Sequence, residues 1–177
     1  MKRRHATLMA GRFDFEPGIF KLKKNRAGNT EFVEPHLVEG TLRFGFKLYT
    51  TLSNPMARAI YMMFLCSEVH PFNDGNGRIA RIMMNAELVR GNQTRIIVPT
   101  VFRENYLLSL RKLSRTKDPS VLITVLDKLQ LFSDNLYGDD FDELNEYLGK
   151  CNAFEEPDRK KLNIIERTFK KVAEKNI

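Results

Sequence analysis

The chain has 177 residues, of which 42% are hydrophobic and 29% charged, and two are cysteines; this balance is typical of a folded globular protein with reduced thiols. No apolar stretch is long enough to span a bilayer, and no apolar segment follows the basic start as in a secretory signal. We therefore expect a cytoplasmic protein with no membrane partner. The net charge of +7 is compatible with nucleotides or acidic partners, but no basic helix with interleaved aromatic residues favours nucleic acid.

The first part of the chain contains one departure from a helical pattern. Residues 1–10 are typical of the last turns of a helix that begins upstream. Residues 18–34 instead predict a short β-hairpin, in which Phe20 and Leu22 alternate with lysines and the sequence NRAGN forms the turn. A two-stranded hairpin is stable only when it packs against other elements, here the helices. An open edge of the hairpin can pair with the backbone of another chain.

Periodic apolar residues predict that the rest of the chain is mainly helical. Asn54 is expected as an N-cap, Pro55 as the first helical residue and Gly91 as a C-cap. The helix after Pro55 is apolar nearly all round, which indicates a central buried helix. The predicted helical segments are 33–52, 53–69, 77–91, 103–114, 118–132 and 158–176. The predicted apolar stripe of the third of them consists of Ile79, Ile82, Met83, Ala86 and Val89.

One segment, HPFNDGNGRIAR from His70 to Arg81, gathers polar residues and glycines directly after that apolar helix. Its glycines lead into a helix N-terminus, where unpaired N–H groups and the helix dipole form an anion site suited to phosphate. Arg78 and Arg81 are three residues apart, so both can reach an anion held there. Asp74 beside a phosphate suggests Mg²⁺, and His70 is the natural general base. Phe72 should pin the loop to the core.

The same segment resembles the signature of Fic-domain proteins, H-x-F-x-[D/E]-G-N-G-R-x-x-R, with every fixed position filled. The resemblance covers roughly residues 11–132, since the predicted hairpin lies where the family carries its flap and residues 95–114 resemble the segment after the motif helix. It implies a mainly α fold, a Fic-type helical bundle with a β-hairpin flap beside the active-site loop. It also implies a protein adenylyltransferase, which transfers AMP from ATP to a Ser, Thr or Tyr hydroxyl of a target protein.

The resemblance assigns a role to individual residues. His70 would be the catalytic base and Asp74 would hold Mg²⁺. The nucleotide and its phosphates would be bound by the motif residues Asn73, Gly75, Asn76, Gly77, Arg78 and Arg81. The flap turn that would clamp nucleotide and target consists of Ala27, Gly28, Asn29 and Thr30. Tyr106 and Ser114 match positions that can line the nucleotide pocket, whereas His5 and His36 match no position and are expected on the surface.

Two comparisons with the family concern control and reaction type. Fic proteins often carry an inhibitory helix with the pattern [S/T]-x-x-x-E-[G/N], and the chain has no match, because Thr30 and Glu34 have the spacing but Pro35 follows. An inhibitory helix is therefore expected upstream in a longer protein or on a separate antitoxin-like partner. The Doc branch, which transfers phosphate, has a bulkier basic residue where this chain has Gly77, so AMP transfer is favoured.

Three alternative functions stay open at this point. A Fic-type enzyme could use another phosphate-containing donor or remove AMP from a modified target. A non-catalytic module could hold a nucleotide or a partner protein, although the intact His70 and Asp74 argue against it. A basic nucleic-acid binder would show strongly salt-dependent binding.

We expect three segments along the chain. Residues 1–10 would be the end of an upstream helix, and residues 11–132 would form the Fic core, with the flap at about 18–34 and the motif loop at 70–81. Residues 133–177 would form a C-terminal helical extension.

Overall fold

The computed structural model describes residues 1–28 and 30–167. This part of the chain is mainly α-helical, with seven helices and one two-stranded antiparallel sheet, as the sequence predicts. The helices are α1 (Lys2–Leu8), α2 (Val38–Tyr49), α3 (Pro55–Val69), α4 (Asn76–Arg90), α5 (Arg103–Thr116), α6 (Ser120–Asp134) and α7 (Phe141–Lys150). The strands are β1 (Arg26–Ala27) and β2 (Thr30–Glu31). None of the described helices combines the length and the apolar character that a bilayer crossing requires.

The ends of α3 and α4 follow from local chemistry. The side chain of Asn54 accepts a hydrogen bond from the backbone N–H of Ala57 at 3.0 Å, and Pro55 occupies the first helical position, where its missing N–H is not needed. Helix α3 ends at Val69 because His70 adopts a left-handed backbone with φ of 49°. Helix α4 ends at Gly91, whose N–H bonds back to the last turn. These boundaries confirm the predicted caps.

The backbone divides into two compact units, Met1–Arg95 and Ile96–Ile177. The first unit contains α1 to α4 and the hairpin, and its largest contact is between α3 and α4. Most of the buried residues of α3 lie in its middle, which confirms the predicted central helix. The segment boundaries expected at residues 10 and 132 stay a prediction.

The buried face of α4 differs from the predicted stripe. Ile79 is buried as expected, but Val89 is 53% exposed. The face that packs inward also includes Ala80, Met84 and Leu88. Apolar residues lie on several sides of α4, so the pattern alone did not determine which side would be buried, and the contact with α3 decided it.

The second unit has its own core, formed around α5 to α7. Its buried cluster comprises Val101, Phe132, Tyr147, Cys151, Ala153 and Leu162. The helix predicted over 158–176 is wrong for residues 158–167, which are not helical, and the positions Phe169 and Val172 lie outside the described residues. Instead, the hydroxyl of Tyr147 donates a hydrogen bond to the carbonyl of Ile165 at 2.8 Å. In a helix, that carbonyl would have accepted a hydrogen bond from the backbone, whereas here a side chain of the same unit binds it.

The hairpin is shorter than its sequence predicts. Among the described residues, only Arg26 with Glu31 and Ala27 with Thr30 pair, and residues 18–25 lie outside the sheet. The predicted alternation is also wrong, because Lys21 is 1% exposed whereas Leu22 is 75% exposed. The reason is that residue 21 bonds to the motif loop and not to a strand.

Candidate active site

The loop between α3 and α4 carries the motif, and its shape depends on glycine at position 75. Gly75 has φ of 75° and is the N-cap of α4. A Cβ atom there would lie 2.9 Å from the sulfur of Met9 and 3.2 Å from Nε2 of His5. A side chain is therefore excluded by its backbone angle and by its neighbours. The loop is thus bent tightly against α1 and the residue that follows it.

The inside of the loop is filled by two motif residues. Phe72 is fully buried, which confirms that it pins the loop to the core. The amide of Asn76 closes the loop, since its Oδ1 accepts from the backbone N–H of Phe72 at 2.9 Å and its Nδ2 donates to the carbonyl of Phe72 at 2.7 Å. An anion at the start of α4 would therefore meet the backbone N–H of Asn76 rather than its occupied side chain.

His5 was expected on the surface, and that expectation is wrong. It is fully buried, and its ring stacks on Phe72 with centroids 3.6 Å apart. Nδ1 lies 2.9 Å from the N–H of Gly18, and Nε2 lies 2.9 Å from the carbonyl oxygen of Asp74. Because the first partner only donates and the second only accepts, the ring is neutral with its proton on Nε2. Burial lowers the pKa of His5. No sequence signal indicated this contact, whereas His36 is exposed as expected.

His70 is half-buried beside the hairpin. Its Nδ1 is 3.2 Å from the carbonyl of Ser67, so Nδ1–H donates and the Nε2 lone pair can accept a proton. The ring of Phe32 stacks on the imidazole with centroids 3.7 Å apart. Burial lowers the pKa of His70, and the positive charge of Lys21 acts in the same direction against the opposing Ser67 carbonyl and Asp74 charge. The imidazole is thus in the form that a general base requires at neutral pH.

The charged motif residues lie in the loop before α4 and in the first two turns of the helix. Oδ2 of Asp74 is 3.2 Å from a terminal guanidinium nitrogen of Arg78, and both side chains are a little over 40% exposed. Arg81 lies beside Gly77, because a Cβ atom there would be 3.7 Å from its Nη1. Among residues 1–28 and 30–167, no group of three or more His, Cys, Asp or Glu side chains is arranged to hold a metal. The carboxylate of Asp74 is a hard oxygen ligand of the kind that Mg²⁺ shares with phosphate and water.

The other predicted site residues lie in three places. Asn73 is exposed, and its Nδ2 donates to Glu16 at 2.7 Å. Within the flap turn, Ala27 and Thr30 pair, Gly28 has φ of 57°, and Asn29 lies outside the described residues. Helix α5 of the second unit carries Tyr106, which is buried, and Ser114, which is half-buried. Their part in a nucleotide pocket stays a prediction.

Sequence reasoning missed two further residues that contact the loop. Lys21 and Asn25 precede the hairpin, and their side chains hydrogen-bond to carbonyl groups on either side of His70. A lysine in an alternating segment normally points to solvent, so no sequence signal distinguished this one. With His5, these residues attach the motif loop to parts of the chain about 45 to 70 positions away.

Comparison with known proteins identifies the family. The Fic/DOC family profile matches residues 1–88. A Fido domain-containing protein of Dictyostelium discoideum is 31% identical over 103 residues, which cover 55% of this chain and 72% of that protein. The chain therefore belongs to the Fic/DOC family.

Two further relatives bear on fold and activity. A probable protein adenylyltransferase of Aquifex aeolicus is 33% identical over 99 residues, which cover 56% of this chain but only 28% of that protein. The structure of residues 134–508 of Fic-1 from Caenorhabditis elegans matches with a TM-score of 0.63 at 22% identity, over 85% of this chain and 42% of that one. The second match confirms the Fic-type fold. The chain thus spans less than half the length of these two relatives.

Proposed function

We propose that this chain is a protein adenylyltransferase that transfers AMP from ATP to a Ser, Thr or Tyr hydroxyl of a target protein, with Mg²⁺. The observation that carries the proposal is the position of His70, whose Nδ1 lies 3.2 Å from the Ser67 carbonyl so that Nε2 is left to take a proton, on a loop that feeds the N-terminus of α4. A base beside an anion-binding helix end is what transfer of a phosphoryl-linked group to a hydroxyl requires. The named adenylyltransferase among its relatives supports the same activity.

Each motif residue has a role in this proposal. His70 accepts the hydroxyl proton as the target oxygen attacks the α-phosphorus and pyrophosphate leaves. Asp74 would hold Mg²⁺, which would neutralise phosphate charge. The N–H groups of residues 75–77 face the α-phosphate, and Arg78 and Arg81 serve the outer phosphates. The Asp74–Arg78 ion pair is half exposed, so it holds Arg78 only weakly against an incoming phosphate.

The hairpin completes the proposed site. The flap turn, residues 27–30, clamps nucleotide and target, and the short hairpin edge aligns the target backbone. Asn73 contributes to the nucleotide site. The proposed partner is a target protein, and a second one is an inhibitory helix of the kind that Fic proteins often carry.

The test is transfer from ATP labelled on the α-phosphate, compared with ATP labelled on the γ-phosphate, in the presence of Mg²⁺ and cell lysate. His70→Ala should lower transfer by about 10²–10⁴-fold, the usual cost of removing a general base, while ATP affinity measured by calorimetry stays unchanged. His36→Ala is the matched control, because His36 is exposed on another segment.

Three results would contradict the proposal. Normal transfer by folded His70→Ala protein would exclude His70 as the base. Label from the γ-phosphate alone, or a mass shift other than AMP, would indicate a different donor chemistry. ATP binding with no transfer to any protein would indicate a binding module.

A further inference from the structure

The backbone on both sides of His70 is held by one short segment. Helix α3 ends at Val69, and the carbonyl groups of residues 69–72 lie at its end and in the loop that follows. All four accept hydrogen bonds from Lys21 or Asn25. These are Lys21 Nζ to Val69 at 3.4 Å, Lys21 N–H to Pro71 at 2.9 Å, and Asn25 Nδ2 to His70 at 3.2 Å and to Phe72 at 2.9 Å.

Lys21 also determines how Asn25 is oriented. Its ammonium donates to Oδ1 of Asn25 at 2.5 Å, so the amide must present Nδ2 to the carbonyl groups of the loop. We refer to these two side chains as the Lys21–Asn25 clamp. Replacing the ammonium by an apolar group would remove the hydrogen bond that orients the Asn25 amide. It would also remove the donor to the Val69 carbonyl.

Burying an ammonium group costs free energy, so Lys21 is not explained as a residue that only fills space in the core. The residue is almost completely buried, and burial lowers its pKa. Carbonyl groups at the C-terminal end of a helix favour a cation, because the helix dipole is negative there. The favourable site for the charge is therefore the end of α3, next to His70.

The cation also acts electrostatically on the imidazole. Its Nζ lies 5.9 Å from the centroid of Phe32, and the ring of Phe32 stacks on His70. The electrostatic neighbours of His70 are Lys21 before the hairpin, Asp74 in the motif loop and the Ser67 carbonyl of α3. Of these, only Lys21 disfavours a positively charged imidazole.

We propose that Lys21, acting with Asn25, is a positioning residue for His70, which fixes the backbone on both sides of the ring and places a positive charge beside it. Nδ1 of His70 thereby stays on the Ser67 carbonyl, and Nε2 stays deprotonated and able to take a proton. The effect on rate rests on the proposed function, whereas the effect on the ring does not.

The test is Lys21→Met, which keeps an apolar stem and removes the charge, with the exposed Lys23→Met as its matched control. The titration of His70 is followed by NMR of the ring protons; the chain has three histidines, so His70→Gln identifies the signal. Lys21→Met should move the titration of His70 to higher pH, and Lys23→Met should leave it unchanged.

In the transfer assay, Lys21→Met should move the acid limb of the pH profile of kcat to higher pH. It should also lower kcat by about 10²-fold because the His70 ring is misplaced, with KM for ATP unchanged.

Two more variants keep the proposal testable if Lys21→Met does not fold. Lys21→Arg keeps the charge, so His70 should titrate at the same pH as in the unaltered chain. Asn25→Ala keeps the lysine but removes the donors to the His70 and Phe72 carbonyls, so kcat should fall while KM for ATP holds. An unchanged His70 titration in folded Lys21→Met, or an unchanged kcat in Asn25→Ala, would overturn the proposal. Absence of transfer by the unaltered chain would contradict the proposed function alone, because the NMR result would still decide the role of Lys21.

Discussion

At the scale of single residues, the motif loop depends on polar side chains outside the motif. His5, Lys21 and Asn25 are buried or half-buried, and each has hydrogen-bond partners in the loop. Because a buried polar group is costly unless it is hydrogen-bonded, these contacts strongly favour one loop conformation over others. The geometry of His70 is therefore a property of residues spread over the first unit and not of the motif alone.

The buried His5 predicts that stability falls in mild acid. Its folded-state pKa is lowered, so the unfolded chain binds a proton more readily, and the free energy of unfolding should decrease as the pH falls below about 6.5. His70 acts in the same direction. Urea unfolding at several pH values between 8 and 5 measures this.

The matched variant is His5→Phe, which keeps a ring on Phe72 but cannot titrate. It should be less stable at pH 8 by about 2 kcal/mol, because the Gly18 N–H and the Asp74 carbonyl lose their partner. Its stability should also depend less on pH than that of the unaltered chain. The same pH dependence in both proteins would show that His5 is not the group responsible.

At the scale of elements, the segment before the hairpin belongs structurally to the motif loop. Residues 18–25 make no strand pairs, and Phe20 contacts Phe72 with ring centroids 5.4 Å apart. Phe20 also packs against the cluster of Val38, Leu65 and Val69. Flap and loop should therefore respond together to substitutions in this segment.

This arrangement predicts opposite behaviour for two neighbouring apolar residues. Phe20→Ala should lower the free energy of unfolding by about 2 kcal/mol, since a half-buried ring leaves a partial cavity. Leu22→Ala should change it by less than about 0.5 kcal/mol, because Leu22 is exposed. Denaturant unfolding of both variants provides the measurement, and equal losses would mean that Leu22 is buried in solution.

At the scale of the whole molecule, each compact unit contains one buried cysteine. Cys66 lies in the first unit and Cys151 in the second, and both are free thiols, as the sequence predicts. Burial raises the pKa of Cys66 to about 12. A thiol of this kind reacts only when its surroundings open.

The native protein should therefore not react with a thiol reagent at pH 8, whereas both cysteines should react in denaturant. Cys66→Ala and Cys151→Ala assign the two signals, so that each thiol reports the opening of its own unit. Rapid reaction of either thiol under native conditions would mean that its unit is not closed around it.

Several features could be predicted from the sequence because their causes are local. The N-cap Asn54 with Pro55, the C-cap Gly91 and the polar loop between two helices depend on neighbours within a few residues. The motif is equally local, since its glycines, acid and arginines share one loop and the first two turns of one helix. The mainly helical fold and the family therefore followed from the sequence.

Other features were decided only by the tertiary structure, because they depend on residues far apart in the chain. The sequence does not show that Lys21 would be buried under the end of α3, that His5 would hold the Asp74 carbonyl, or which side of α4 would face α3. Nor does it show that residues 158–167 would be held by side chains of the second unit and not form a helix. In each case a contact over a long sequence separation outweighed a local preference, because burial and a satisfied hydrogen bond contribute more than the propensity of one residue.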